Sequence, residues 1–83
     1  MSPAQIRELV HYAGRLVSQA WAASRGADGD VVALFGRASF YAGALNGAYW
    51  SARGTPQEPR VLSAQRHVQD LRERLQARLQ VRA

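Results

Sequence analysis

The chain has no cysteine and no lysine, and only six of its 83 residues are acidic. Without cysteine there is neither a disulfide framework nor a thiolate metal site. Without lysine, all eleven basic residues are arginine, the side chain better suited to forked contacts with phosphate or carboxylate groups. The formal net charge of +5 therefore favours acidic partners such as nucleic acid, acidic protein surfaces or anionic lipid.

Several signals of catalysis and targeting are also missing. No stretch alternates apolar and polar residues with period two, so we expect no sheet. We find no glycine-rich phosphate loop, no paired carboxylates and no serine with a His/Asp partner set, and we therefore expect a non-catalytic protein without a cofactor. The first residues lack the charged and then apolar pattern of a secretory signal, which leaves a cytoplasmic location as the expectation.

Three amphipathic segments fill the chain, and we expect helices over about 3–25, 31–53 and 56–82. Ser2 with Gln5, and Thr55 with Glu58, have the spacing of a capping box. Two short linkers between long amphipathic segments predict an all-α, antiparallel three-helix bundle as one domain over 1–83. A domain this small has marginal stability, and oligomerisation is a common remedy.

The apolar residues of the outer two segments recur at helical spacing along one stripe. In the first segment the stripe comprises Ile6, Leu9, Val10, Ala13, Leu16, Val17, Ala20 and Trp21. In the third it comprises Val61, Ala64, Val68, Leu71, Leu75 and Leu79. These stripes predict the faces that the two helices turn towards the core.

The second segment is apolar on two opposite faces. One face is an ordinary core stripe of Leu34, Ala38, Tyr41, Leu45, Ala48, Tyr49 and Ala52. The opposite face consists of Val32, Gly36, Phe40, Gly43, Gly47 and Trp50. Each interior glycine costs a helix about 1 kcal/mol relative to alanine, so we expect a compensating close approach of another backbone.

Two arrangements would cover that second apolar face. In a three-helix bundle both neighbours pack on one side of each helix, so the six residues predict an interface with a second copy or another protein. Phe40 and Trp50 would be its anchors, because aromatic residues are enriched among binding hot spots. The alternative is that the first and third helices wrap far enough round to cover both faces within one chain.

A membrane-spanning segment is a minor alternative. Residues 31–52 are long enough to cross a bilayer, and they carry a single charge. However, Arg37 and Asn46 interrupt the run, and a central arginine costs about 2.5–3.5 kcal/mol on insertion. We therefore do not expect membrane insertion.

The positive charge suggests contact with nucleic acid. Arg7, Arg15 and Arg25 share the face of the first segment opposite its core stripe, and Arg78 and Arg82 form a second patch at the other end of the chain. Such a stripe suits contact with a phosphate backbone without sequence specificity. The simpler interpretation is a solvated basic face without a ligand.

Two short patterns resemble known sites and are not adopted. Glu8 and His11 have the spacing of bundle metal ligands, but they fall on the polar face, so we expect no metal site. Arg60 and His67 fall within the Arg-x(4–6)-His pattern of the helical RNases called HEPN domains. That resemblance covers only eight residues, and Val61 stands where the family usually has a polar residue.

The sequence therefore predicts a non-catalytic, basic accessory protein or subunit. It would self-associate, or pack into a larger assembly, through its second helix, and would contact nucleic-acid backbone through the five arginines. The alternative is a protein-interaction module, such as an adaptor or an inhibitor, that uses the same apolar face and binds no nucleic acid.

Overall fold

The computed structural model describes residues 1–24 and 31–82, with the side chains of 1–21 and 31–81. Within these ranges the chain forms three helices, α1 (Pro3–Ser24), α2 (Val31–Ala52) and α3 (Glu58–Arg82), and no strand. The all-α prediction is therefore confirmed. No helix in the described ranges is apolar enough along its length to cross a bilayer.

Helix α1 begins with the expected capping box. The Ser2 backbone N–H donates to Gln5 Oε1 at 2.8 Å, and the Gln5 backbone N–H donates to Ser2 Oγ at 3.2 Å. These reciprocal bonds satisfy two amides at the helix start that have no partner within the helix. Pro3 fits the first helical position because its nitrogen has no hydrogen to donate.

The corner between α2 and α3 differs from the expected capping box. The Thr55 hydroxyl donates to the Ala52 carbonyl at 2.6 Å and accepts from the Gln57 amide at 3.2 Å, instead of binding the Glu58 amide. Glu58 Oε2 accepts from the Gly54 amide at 3.1 Å. Gly54 has φ +79°, which glycine adopts without a Cβ penalty. The turn extends through Gln57, so α3 begins at Glu58.

The core forms from the three stripes that face one another. Most stripe residues are buried or partly buried, and the described part of the chain buries no polar side chain. Val31 joins the core although it lies outside the predicted stripe, because it sits one turn from Leu34 on the same side of α2. The fully buried side chains include Leu16, Leu45, Leu71, Leu75, Val31, Val61 and Val68.

Each helix contacts the other two in an elongated bundle of 42 × 19 × 16 Å. Gln57 Nε2 donates to the Pro3 carbonyl at 3.0 Å, so the start of α1 lies beside the start of α3. Further along, the guanidinium of Arg74 in α3 lies over the Trp21 ring of α1, 4.3 Å from its centroid. Helix α2 packs one side against both neighbours and leaves its other side exposed.

Candidate functional site

The outward side of α2 carries the six predicted interface residues, and all six are exposed. We call Val32, Gly36, Phe40, Gly43, Gly47 and Trp50 the α2 outer face. Its three large side chains keep most of their surface accessible, at 67% for Val32, 69% for Phe40 and 64% for Trp50. Exposed aromatic residues in a continuous apolar patch are typical of a surface that another molecule covers.

No described residue outside the local helix lies close above the glycines of this face. A Cβ atom built on Gly36, Gly43 or Gly47 would meet no atom within 4 Å outside the local helix backbone. The alternative that α1 and α3 wrap round to cover both faces of α2 is therefore wrong. The described part of the chain supplies no backbone above the glycines, so the expected close approach remains a prediction about another molecule.

The aromatic side chains of the α2 outer face are supported by side chains next to them. Phe40 meets the Tyr41 ring edge-on at a centroid distance of 5.5 Å, and Trp50 lies 5.6 Å from the Tyr49 ring. The Arg53 guanidinium lies 5.7 Å from the Trp50 ring centroid. Such contacts restrict the rotamers of Phe40 and Trp50, which would lower the entropy cost of any association.

The five predicted nucleic-acid contacts do not all fall within the described structure. Arg7 and Arg15 are exposed on α1, as a phosphate contact requires. Arg78 is partly buried on α3. Arg25 lies outside the described residues, and so does the side chain of Arg82. The structure thus describes two of the three arginines in the α1 stripe and one of the two in the second patch.

The seam between α1 and α3 extends the basic surface beyond the predicted stripe. Arg7 and Arg60 line one groove at the end of the bundle, and Arg60 and His67 line a second groove of about 590 Å³. His11 and Arg15 line a third. None of the described residues that line these three grooves is Asp or Glu. We call Arg7, His11, Arg15, Arg60 and His67 the α1–α3 basic face.

Sequence reasoning missed Arg60 as a member of this face. Its position on the edge of the α3 apolar stripe was the available signal, because a stripe edge borders the neighbouring helix. The structure places Arg60 and His67 against one groove, yet the lining of that groove is otherwise mainly small or apolar, including Val10, Ala13 and Val17. Apart from Arg60 and His67, the described lining of this groove holds no acid or base in the position of a catalytic group.

Two other arginines of α3 hold helices together. Arg72 Nε donates to Ser39 Oγ of α2 at 3.1 Å, and its guanidinium lies 5.6 Å from the Phe35 ring centroid. Arg74 stacks on Trp21 of α1 from the other side of the α3 stripe. Both arginines therefore act between helices, from opposite edges of the α3 apolar stripe.

No group of three or more His, Asp or Glu side chains within residues 1–24 and 31–82 could hold a metal ion. Glu8 and His11 are both exposed, so neither points into the bundle. The arrangement offers two surfaces instead, one apolar and one basic, on different sides of the molecule.

Comparisons with known proteins return no match to any family model, curated protein or solved structure.

Proposed function

We propose that this chain is a non-catalytic subunit that docks onto protein through the α2 outer face. The observation that supports this most strongly is the exposure of Phe40 and Trp50 beside glycines that no described residue covers. Large apolar patches that remain exposed are found mainly at sites of interaction. Oligomerisation through this face and a cytoplasmic location are part of the proposal.

The proposal includes an antiparallel order of the three helices. The start of α1, the end of α2 and the start of α3 line one groove through Pro3, Ser51 and Arg60. A helix that ends where its neighbours begin runs in the opposite direction to both. In this arrangement α1 and α3 cover one side of α2 only, which leaves the other side for a partner.

Site-specific photo-crosslinking in the cells that produce the protein tests the docking surface. Benzoyl-phenylalanine in place of Phe40 should give one discrete covalent adduct, because a partner would lie within reach of that ring. The matched control places the same probe at Leu62, a 39% exposed apolar residue on α3. The proposal is wrong if position 40 gives no adduct above the level at position 62.

A second candidate function is contact with nucleic-acid backbone through the α1–α3 basic face. Three grooves on this side bring Arg7, Arg15 and Arg60 to the surface without an acidic residue in their lining. Uncompensated arginines attract phosphates without regard to base sequence. If this face binds nothing, the chain is an adaptor or an inhibitor that works through α2 alone.

Salt-dependent binding to a random-sequence duplex and to a single strand tests the second function. Affinity should fall steeply with salt, and Arg7→Ala/Arg15→Ala should flatten the slope of log K against log salt by roughly 0.9 per lost phosphate contact on the duplex. The control Arg37→Ala/Arg66→Ala removes the same charge from two exposed arginines elsewhere. Equal slopes for both variants, or no binding by the wild type at low salt, would rule this function out.

A further inference from the structure

We infer that the molecule on the α2 outer face is a second copy of this chain, packed antiparallel about a two-fold axis through the middle of α2. Phe40 would face Gly43 of the partner subunit, and Gly36 would face Gly47 of the partner subunit. The inference rests on the proposed docking function of this face and names its occupant.

The exposed positions of α2 are symmetric about the middle of the helix. Between Val31 and Ala52 the midpoint falls between Tyr41 and Ala42. Every exposed residue has an exposed counterpart at the same distance on the other side of that midpoint. The counterparts are Val32 with Ser51, Ala33 with Trp50, Gly36 with Gly47, Arg37 with Asn46, and Phe40 with Gly43.

This symmetry matters because a two-fold interface is formed by the same patch on both subunits, so that patch must be complementary to itself. With the axis at the midpoint, each exposed aromatic side chain faces a small residue. Phe40 meets the partner's Gly43, and Trp50 meets the partner's Ala33. A parallel, in-register pair would instead place Phe40 on Phe40 and Trp50 on Trp50, and the glycines would form empty gaps between the helices.

Charge favours the α2 outer face over the α1–α3 basic face as the contact between two copies. In the antiparallel pair Arg37 faces the partner's Asn46, and the two Arg37 side chains are separated along the axis by nine residues, about 13 Å. That distance exceeds the Debye length of about 8 Å at physiological salt. Docking through the α1–α3 basic face would instead oppose two surfaces of the same charge.

The area available is close to what a specific dimer needs. Because a buried aromatic side chain covers 150–250 Å², the exposed parts of Phe40 and Trp50 offer roughly 300 Å² per chain. The remaining exposed positions of α2 lie on the same side of a helix about 33 Å long. Two copies would therefore bury on the order of 1,000 Å² in total, the lower range of specific interfaces, and the dimer should dissociate on dilution.

Sedimentation or light scattering of the purified chain over a concentration series is the first measurement. The mass should rise with concentration from 9.1 kDa to twice that value. A chain that stays monomeric up to high micromolar concentration overturns the inference. If the Phe40 probe then still crosslinks to a different protein in cells, docking through the α2 outer face stands, and the oligomerisation part of the proposal is wrong together with this inference.

The natural absence of cysteine makes the register testable by disulfide formation. Gly36→Cys/Gly47→Cys should give a covalent dimer on mild oxidation, because each new thiol would face one on the partner. The control Gly36→Cys/Gly43→Cys moves one thiol by a single helical turn and should crosslink much less. Both variants leave the monomer fold intact, since an added Cβ meets nothing at any of these positions. Equal or reversed yields would overturn the antiparallel register.

Discussion

The two sides of α2 are both apolar, yet one is buried and the other is exposed. The inner side places Ala38, Leu45 and Ala52 at 0% exposure against α1 and α3. The outer side leaves Phe40 and Trp50 about two-thirds exposed. Hydrophobicity therefore does not tell the two sides apart. What distinguishes them is size, because the fully buried residues of α2 are alanines with Val31 and Leu45, whereas the outer side combines glycines with large aromatic residues.

This difference in side-chain size matches a difference in what each side of α2 packs against. A core inside one chain needs side chains that fill a fixed space between helices at high density. The α2 outer face instead presents gaps beside protruding rings, a shape that only a closely approaching second surface could fill. The same helix thus serves folding on one side and, in our proposal, association on the other.

The largest contrast should come from truncating one large residue on each side. Leu45→Ala should cost about 2–5 kcal/mol of unfolding free energy, because it leaves a cavity among α1, α2 and α3. Phe40→Ala should change the stability of the dilute monomer by less than about 0.5 kcal/mol, since the ring is mostly solvated. Urea unfolding at low chain concentration measures both. Comparable losses would mean that the outer side also supports the monomer.

Changing one small residue on each side should give effects of opposite sign. Gly43→Ala should stabilise the dilute monomer by about 1 kcal/mol, because alanine is the better helix former and its Cβ meets nothing. Ala38→Gly should destabilise it by at least about 1 kcal/mol for the converse reason. At high concentration Gly43→Ala should weaken association, since the gap for Phe40 of the partner subunit is partly filled. Thermal unfolding over a range of chain concentrations would show whether the stability gained by Gly43→Ala disappears when the chains associate.

The smallest contrast concerns two arginines stacked on tryptophan. Arg74→Ala removes a contact that joins α3 to α1 and should cost about 0.5–1 kcal/mol. Arg53→Ala removes a contact within the exposed end of α2 and should leave the unfolding free energy of the dilute monomer nearly unchanged. Chemical denaturation of the two variants and the wild type measures both changes in unfolding free energy. A larger loss for Arg53→Ala would show that the α2 outer face contributes to the monomer fold.

Much of the fold was predictable because helical spacing and caps are local signals. The stripes from Ile6 to Ala20 and from Val61 to Leu75 indicated the buried faces, and Ser2 with Gln5 indicated the first cap. The α2–α3 corner was not predictable in detail. The Thr55 hydroxyl had two acceptable partners, the Glu58 amide and the Ala52 carbonyl, and only the path of the chain after Gly54 selects the second.

The candidate surfaces were predictable to different degrees. The α2 outer face followed from its residues alone, because the glycines and aromatic residues recur on one side of the helix. The α1–α3 basic face was found only in part. Arg7 and Arg15 share a helix and so a period, whereas Arg60 reaches the same surface from another helix. Which edge of a stripe borders which neighbour is a property of tertiary packing and leaves no periodic signal.

The hydrogen bond from Gln57 to the Pro3 carbonyl joins residues 54 positions apart. It makes the first turn of α1 part of the α2–α3 corner, together with the Ser2 cap. A purification tag fused directly to Ser2 would therefore disturb a junction far along the chain, and the dimer measurements above are better made with any tag placed after Ala83.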